Sequence, residues 1–396
     1  LNTNIILCSL TLIAYSTIYK NWTWTKNDLF IYLLIIWIYL ILNSLYAIFF
    51  KINHNYFYEG LIRSLGFIKI VFFSCSFLVF TNKNLKFQKV VGLWFLIVSI
   101  ILFDVFFEKL FGKNLIGNIS PDHTRIVSFF KDELVAGSFL FCFGFFVTIY
   151  FFVNEKKSSL KKNLLFFLIG VIALAIFITG ERSNFIKGLI YTLILFSILP
   201  GEKLYIKKKF LILLILISTS GLVLFDKNIN QKYSEFFERV KISKNDGVKK
   251  FENIKYFTHY KVAVEIFKNN IFFGVGNKNF RWECHKEKYY DSTEKFTLQR
   301  CSTHAHQVHL DILSEHGLIG YCLIFILLAK FVISVIKNFD SNDNNIKKSL
   351  IIFLLIFLIP LLPSGSIFST FNGSYFWLII SMLNYLNIKN KKDLFN

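Results

Sequence analysis

The sequence predicts an all-α fold, a polytopic bundle of membrane-spanning helices. Three observations lead there. Of 396 residues, 54% are hydrophobic and only 18% charged, whereas about a quarter of a soluble domain is charged. Mean hydropathy is +0.52, which excludes intrinsic disorder, since disorder requires low hydrophobicity. The apolar residues also come in long blocks, without the two-residue alternation of a membrane barrel.

The blocks run roughly over 4–19, 29–50, 61–80, 90–107, 134–153, 164–179, 184–199, 210–225, 317–336, 349–362 and 374–388. That is about eleven spans, each near the ~20 residues needed to cross a bilayer. Residues 5–19 have no preceding basic segment and no small-residue cleavage site after them, so they read as a span rather than a leader.

Charge orients the spans. The 45 Lys and Arg exceed the 25 Asp and Glu by 20. In a soluble chain that excess would suggest nucleic acid. Here it falls in short clusters, so the partner it implies is the lipid bilayer and no nucleic acid is expected. Lys20 and Lys26 follow the first span, and Lys83, Lys86 and Lys89 the third. Lys156, Lys157, Lys161 and Lys162 follow the fifth; Lys203 and Lys207–Lys209 the seventh; Lys337, Lys347 and Lys348 the ninth. Every cluster follows an odd-numbered span, which makes those loops cytoplasmic. The N-terminus then lies outside, and a complete chain is expected to have twelve spans, with one more helix before Leu1. We read residues 1–396 as a single membrane domain capped by a large outward loop, 226–316, that contains short helices. Within that loop, 251–268 has an amphipathic pattern, with Ile254, Phe257, Val262, Val264 and Phe267 among charges.

The reactive side chains gather at the end of this loop. His304, His306, His309 and His316 are half of the chain's eight histidines. A helix starting near Thr303 would put His306 and His309 on one face, with Asp311 and Glu315 on neighbouring ones. Imidazoles at the outer mouth of a span suit a general base or a polar clamp. A metal site is a competing reading of the His-x-His and His-x-x-His spacings, although no distinctive supporting ligand set accompanies them. A solvated helix start is the plain alternative.

Two other places carry cations on the outward side. Arg182 sits in the short turn Thr179-Gly180-Glu181-Arg182-Ser183-Asn184. Its planar fork suits phosphate oxygens, against the alternative of an interfacial arginine paired with Glu181. Arg125 and Lys131 lie on the loop before the fifth span, which also reads as an ordinary charged loop. Cys284 and Cys301 share the large loop and are candidates for a disulfide in an oxidising compartment, with two free thiols as the alternative. No Gly-x-x-x-x-Gly-Lys-Ser/Thr loop is present, so nucleotide hydrolysis is not indicated.

Taken together, these residues resemble the O-antigen ligase and O-antigen polymerase superfamily of bacterial envelopes. The specific element is His-Asn/Ser/Gln, nine residues, then Gly-x-x-Gly, met here by His306-Gln307 and Gly317-Leu-Ile-Gly320. The Thr that often follows is Tyr321 here. The Gly-Glu-Arg182-Ser turn, the Arg125…Phe-Lys-Asp-Glu133…Gly137 loop and Asn270-Ile-Phe-Phe-Gly274-Val-Gly276 look like the family too, over roughly 120–388.

The resemblance implies a metal-independent glycosyltransferase of the GT-C type, with no cofactor, in the bacterial inner membrane and facing the periplasm. The donor would be a glycan on undecaprenyl diphosphate. The acceptor would be the lipid A core for a ligase, or a second lipid-linked glycan for a polymerase. His306 and Arg182 would be catalytic. Arg125, Lys131, His304, His309 and Glu315 would bind diphosphate or glycan. By its amphipathic pattern, the helix near 251–268 is expected to lie on the membrane surface and cap the cavity. A lipid-glycan flippase or transporter is the other functional class, and a metal sensor or structural anchor a third.

Overall fold

The computed structural model describes residues 2–50, 57–83, 87–122, 124–131, 133–153, 159–198, 255–292, 296–339, 344–360 and 362–388, with scattered positions between 215 and 234. Among them the regular structure is helical, and the chain is a helical membrane protein. The helices are α1 (Asn2–Ile18), α2 (Asp28–Phe50), α3 (Phe57–Gly66), α4 (Ile68–Lys83) and α5 (Phe87–Phe111). Next come α6 (Ala136–Phe139), a π turn (Leu140–Gly144), α7 (Phe145–Val153), α8 (Ser159–Ile178) and α9 (Arg182–Ile198). The chain continues with α10 (Lys255–Lys268), α11 (Phe280–Glu283), α12 (Val308–Lys337), α13 (Asn344–Phe357) and α14 (Thr370–Ile388). A helix or helix pair stands at each expected apolar block except 210–225, which lies mostly outside the described residues.

Segments Asp28–Phe50, Tyr58–Val79, Gln88–Phe111 and Val308–Lys337 are long and apolar enough to cross a bilayer. α2 shows why that is the right solvent. Leu29, Leu33, Ile36, Leu40, Asn43, Ser44 and Ala47 form a buried stripe, while Ile31, Ile35, Ile38 and Leu42 on the other faces are exposed. A helix apolar all round with only one face packed needs hydrocarbon on the rest.

The contacts gather into two compact units, each built from non-contiguous stretches: Leu1–Asn84, Arg239–Phe339 and Leu358–Asn396 in one, Leu85–Glu238 and Asp340–Phe357 in the other. In the first, α14 is the central helix, buried almost continuously from Gly373 to Leu386. Its Trp377 donates to the Ile367 carbonyl at 2.9 Å and packs against Phe67, 5.6 Å between ring centroids. In the second, α5, α7, α8, α9 and α13 surround an aromatic core, with Phe141 against Phe353 and Phe145 against Tyr191.

α12 is a kinked helix. Gly317 has φ +64° and ψ −168°, which interrupts the helical ladder. The backbone groups freed there are taken up by residues 271–276. Val275 N–H donates to the Ser314 carbonyl (3.0 Å) and Gly276 N–H to that of Glu315 (2.8 Å). In return Leu318 N–H donates to Ile271 (2.7 Å) and Ile319 N–H to Phe272 (3.1 Å). The approach is too close for side chains. A Cβ on Gly317 would meet the Phe272 carbonyl oxygen, and one on Gly274, at φ +64°, would meet the Glu315 backbone. Gly320 makes room for Tyr39, whose hydroxyl donates to the His316 carbonyl at 2.7 Å.

Alanine at Gly317 or Gly274 adds a left-handed backbone penalty of ~1–2 kcal/mol to a backbone clash. We expect each variant to lower the melting temperature in detergent by several degrees, with Gly66→Ala, whose Cβ meets nothing, as the unaffected control. Unchanged melting of the Gly317 variant would show the kink to be dispensable.

Candidate functional site

The first unit holds the histidine site. The expected helix from Thr303 is not formed. α12 starts at Val308, with Gln307 as its N-cap, its Oε1 accepting from Leu310 N–H at 2.8 Å. His306, at φ +55°, is left-handed and cannot continue a helix. Residues 301–307 therefore form a turn, and its fastenings are specific. Ala305 N–H donates to Asp311 Oδ1 (3.2 Å), Ser364 N–H to the His306 carbonyl (2.8 Å), and Val308 N–H to Ser364 Oγ (2.9 Å). His306 and His309 thus do not share a helical face.

The His306 ring stands in an aromatic and imidazole cluster. Its centroid is 4.3 Å from His304, 5.1 Å from His259 and 5.2 Å from Tyr256. Its Nε2 is 2.9 Å from Ser302 Oγ. His259 is itself fixed by a 2.9 Å contact between Nδ1 and the Arg300 carbonyl. His304 Nδ1 lies 3.0 Å from Thr303 Oγ1, and its Nε2 is a buried nitrogen with no hydrogen-bond partner. Burial pushes the His304 imidazole down to about 4, against the attraction of Asp311. It is neutral at neutral pH.

The remaining candidates of this unit turn inward. His309 has both nitrogens engaged, Nδ1 with Tyr321 Oη (3.0 Å) and Nε2 with the Leu358 carbonyl (2.7 Å). Tyr321, the departure from the family pattern, is thus one of the two groups that hold His309. Glu315 is fully buried, and its Oε1 accepts from Phe280 N–H at 3.3 Å. Buried Lys278 reaches Ser366 Oγ at 2.8 Å. Neither side chain lies on an open surface.

α10 is amphipathic, but in a different phase from the one expected. The buried positions are Thr258, His259, Tyr260, Val262, Ala263 and Ile266, while Phe257 is exposed. Val262, Ala263 and Ile266 pack with Val275, Phe280, Cys284, Tyr289 and Ala305. This corrects the expectation of a helix lying on the membrane surface. Its apolar face is occupied by the loop that carries His306. The sequence reading missed His259, Tyr256 and Ser302; a histidine on the buried face of an amphipathic helix was the available signal.

Cys284 and Cys301 form a disulfide with Cα atoms 5.4 Å apart. Buried Arg300 sits beside it, donating to the carbonyls of Cys284 (2.9 Å), His285 (3.0 Å) and Thr297 (3.1 Å). Among the described residues, Cys284, His285 and Cys301 are the grouping close enough to hold a metal ion, their ligand atoms within 4.8 Å of one another. The disulfide commits two of those three ligands.

The second unit holds the arginine site. Glu181 is its hub. Its Oε1 accepts from Gly137 N–H at 2.8 Å and lies 3.7 Å from Arg125 Nη2, while Oε2 accepts from Asn184 Nδ2 at 2.6 Å. Arg125 Nη2 also donates to the Leu134 carbonyl at 3.1 Å. Glu181 is thus joined to Arg125. Burial pushes the Glu181 carboxyl above its ordinary value, against the pull of Arg125. Arg182 is half-buried as the first residue of α9, and Lys131 is exposed at φ +56°. Gly180, at φ +74°, comes so close to Thr124 that a Cβ would lie 3.0 Å from its carbonyl.

The loop before Arg125 is tied to α5 by two acids that the sequence reading passed over. Asp104 accepts from Leu115 N–H (2.7 Å) and Ser128 Oγ (2.6 Å), and Glu108 from the N–H groups of Val127 (3.2 Å) and Ser128 (2.6 Å). Their i, i+4 spacing near the end of an apolar span was the signal. Arg125, Thr124, Ser120, Lys109 and Glu108 line a cavity of about 180 Å³ with both polar and apolar walls.

The fold and these sites define a polytopic helical membrane protein with imidazole and guanidinium groups held at helix-connecting turns. Residues 134–325 match the sequence model of the O-antigen ligase family. The match indicates an O-antigen ligase or polymerase type of function. A search of curated proteins finds no match.

Because His304 titrates lower folded (about 4) than unfolded (6.5), its contribution to stability is complete above pH 6.5. It is lost as the pH falls through 6.5 toward 4. We expect the melting temperature to drop over that window and His304→Gln to flatten the drop; parallel profiles for the two proteins would refute the burial argument. Reduction of the disulfide, which closes a 17-residue separation, is expected to cost ~3 kcal/mol in the chain-entropy estimate. Cys301→Ala should reproduce that loss in melts of the unreduced protein.

Proposed function

We propose that the chain is an integral membrane glycosyltransferase. It moves a glycan from undecaprenyl diphosphate to an acceptor hydroxyl at the periplasmic face of a bacterial inner membrane. We assign the lipid A core as acceptor, which makes the protein an O-antigen ligase in lipopolysaccharide biosynthesis. The observation that carries this reading is His306, held left-handed in a fastened turn among aromatic and imidazole rings, inside the family-matched region.

The chemistry follows from the groups. The acceptor oxygen attacks the anomeric carbon, the carbon–oxygen bond to the diphosphate breaks, and the hydroxyl proton must leave. His306 takes or aligns that proton, because an imidazole titrates near the working pH. The leaving diphosphate gains negative charge, and we assign its stabilisation to Arg182 and Arg125. Guanidinium forks supply the countercharge for which other glycosyl transfers use a metal ion. Glu181 is the positioning residue for Arg125. Lys131, exposed, is assigned to the anionic glycan or lipid surface. Glu315 and His309 hold the turn-bearing helix.

The test is expression in a host that makes lipid-linked glycan but lacks its own ligase. The intact chain is expected to restore long-chain lipopolysaccharide on a gel. His306→Ala and Arg182→Ala, at equal protein level, are expected to lower transfer by ~100-fold or more, the size of a general-base contribution. Undiminished transfer by a variant removes that residue from the mechanism. Lengthened lipid-linked units without lipopolysaccharide replace the ligase reading with a polymerase.

A further inference from the structure

At the other end of the first unit, away from His306, a second cavity of about 170 Å³ opens between α2, α12 and α14. Its walls carry one cation, Lys26, one anion, Asp28, and the polar groups of Tyr32, Ser334, Asn384 and Asn387. Among the described residues neither Lys26 nor Asp28 takes part in an ion pair.

The rim is built rather than loose. Residues Thr23–Lys26 form a 3-10 turn pinned by Trp24. That indole is buried with Leu12, Cys75 and Val79 and donates to Ser16 Oγ at 2.8 Å. Asn27, which follows, is buried, and its Oδ1 accepts from Leu29 N–H and from Asn384 Nδ2, both at 2.9 Å. The turn, α2 and α14 are thereby locked together beneath the two charges. One wall group is left over. Asn387 Oδ1 is buried and has no hydrogen-bond partner. A buried acceptor without a donor is unfavourable, so the site lacks a donor that a ligand would bring.

Lys26 belongs to the clusters that the positive-inside pattern assigns to the inner side, and exposed Trp22 and Tyr19 beside it are residues of the membrane–water interface. Pockets between membrane helices at that level take lipid head groups. We propose that this cavity binds the aminoethyl phosphate head group of a zwitterionic phospholipid. Its phosphate lies on Lys26, and its primary ammonium donates to the Asp28 carboxylate and to Asn387 Oδ1. The pairing of charges selects the ligand. A glycerol head group offers no cation to Asp28, and a quaternary choline offers no N–H to Asn387. The site is independent of the transfer reaction proposed above, and so is its test.

The test is native mass spectrometry of the delipidated full chain in detergent, titrated with phosphatidylethanolamine, phosphatidylcholine, phosphatidylglycerol or inorganic phosphate. We expect one phosphatidylethanolamine per chain, bound at least tenfold more tightly than the other two lipids, with no competition from inorganic phosphate. Asp28→Asn and Lys26→Gln, both at exposed positions and so safe for folding, should each remove that preference, and Asn387→Leu should lower the affinity for phosphatidylethanolamine alone. Equal binding of the three lipids, a preference for phosphatidylglycerol, displacement by phosphate, or unaltered binding by the Asp28 and Lys26 variants would each overturn the assignment.

Discussion

The histidine unit depends on a backbone exchange between two segments far apart in sequence. α12 breaks at Gly317, and residues 271–276 lie against the break, giving and receiving four main-chain hydrogen bonds. Within a low-dielectric setting an unpaired peptide group is expensive, so the break exists only because the second segment fills it. Everything nearby inherits its position from that exchange. Glu315 reaches Phe280 N–H, α10 packs over the same segment, and the His306 turn leads straight into the broken helix. The two glycines of the His-Gln-x9-Gly-x-x-Gly pattern thus make room, one for a crossing backbone and one for Tyr39.

Much of the helix plan was legible in the sequence, because lipid-facing helices must be apolar on every side and of limited length. The blocks at 29–50 and 90–107 map directly onto α2 and α5. The disulfide partners could be named from their shared loop. What the sequence hid was the path of backbone that is neither helix nor strand. Nothing in Thr303–Gln307 announces a left-handed His306, since that conformation is held by Ser364 and Asp311 from elsewhere in the chain. The phase of α10 was misread for a related reason. Its buried face is chosen by the loop that covers it, and Thr258, His259 and Tyr260 are buried while Phe257 is not.

The arginine unit uses a different economy of polar groups. One carboxylate, Glu181, serves Gly137 N–H, Asn184 and Arg125 together, so three elements meet at one side chain. Such a hub fixes a guanidinium more firmly than a surface ion pair, whose long side chains remain free to move. Asp104 and Glu108 do the same for the loop behind it. Buried acids here hold the positions of a cation and of backbone, and Asp104 and Glu108 do so from outside the motifs, at a distance along the chain.

The break at Gly317 also divides α12 into two parts with separate duties. Before it, Asp311, Ile312, Ser314, Glu315 and His316 are buried together; after it, Gly320, Ile324, Leu327, Phe331 and Val335 form a stripe at intervals of three and four. The joint uncouples the rotational phase of the two. A chain of this kind can add or drop whole turns in the lower part, matching a thicker or thinner hydrocarbon layer, while the upper part keeps every residue facing where it does now.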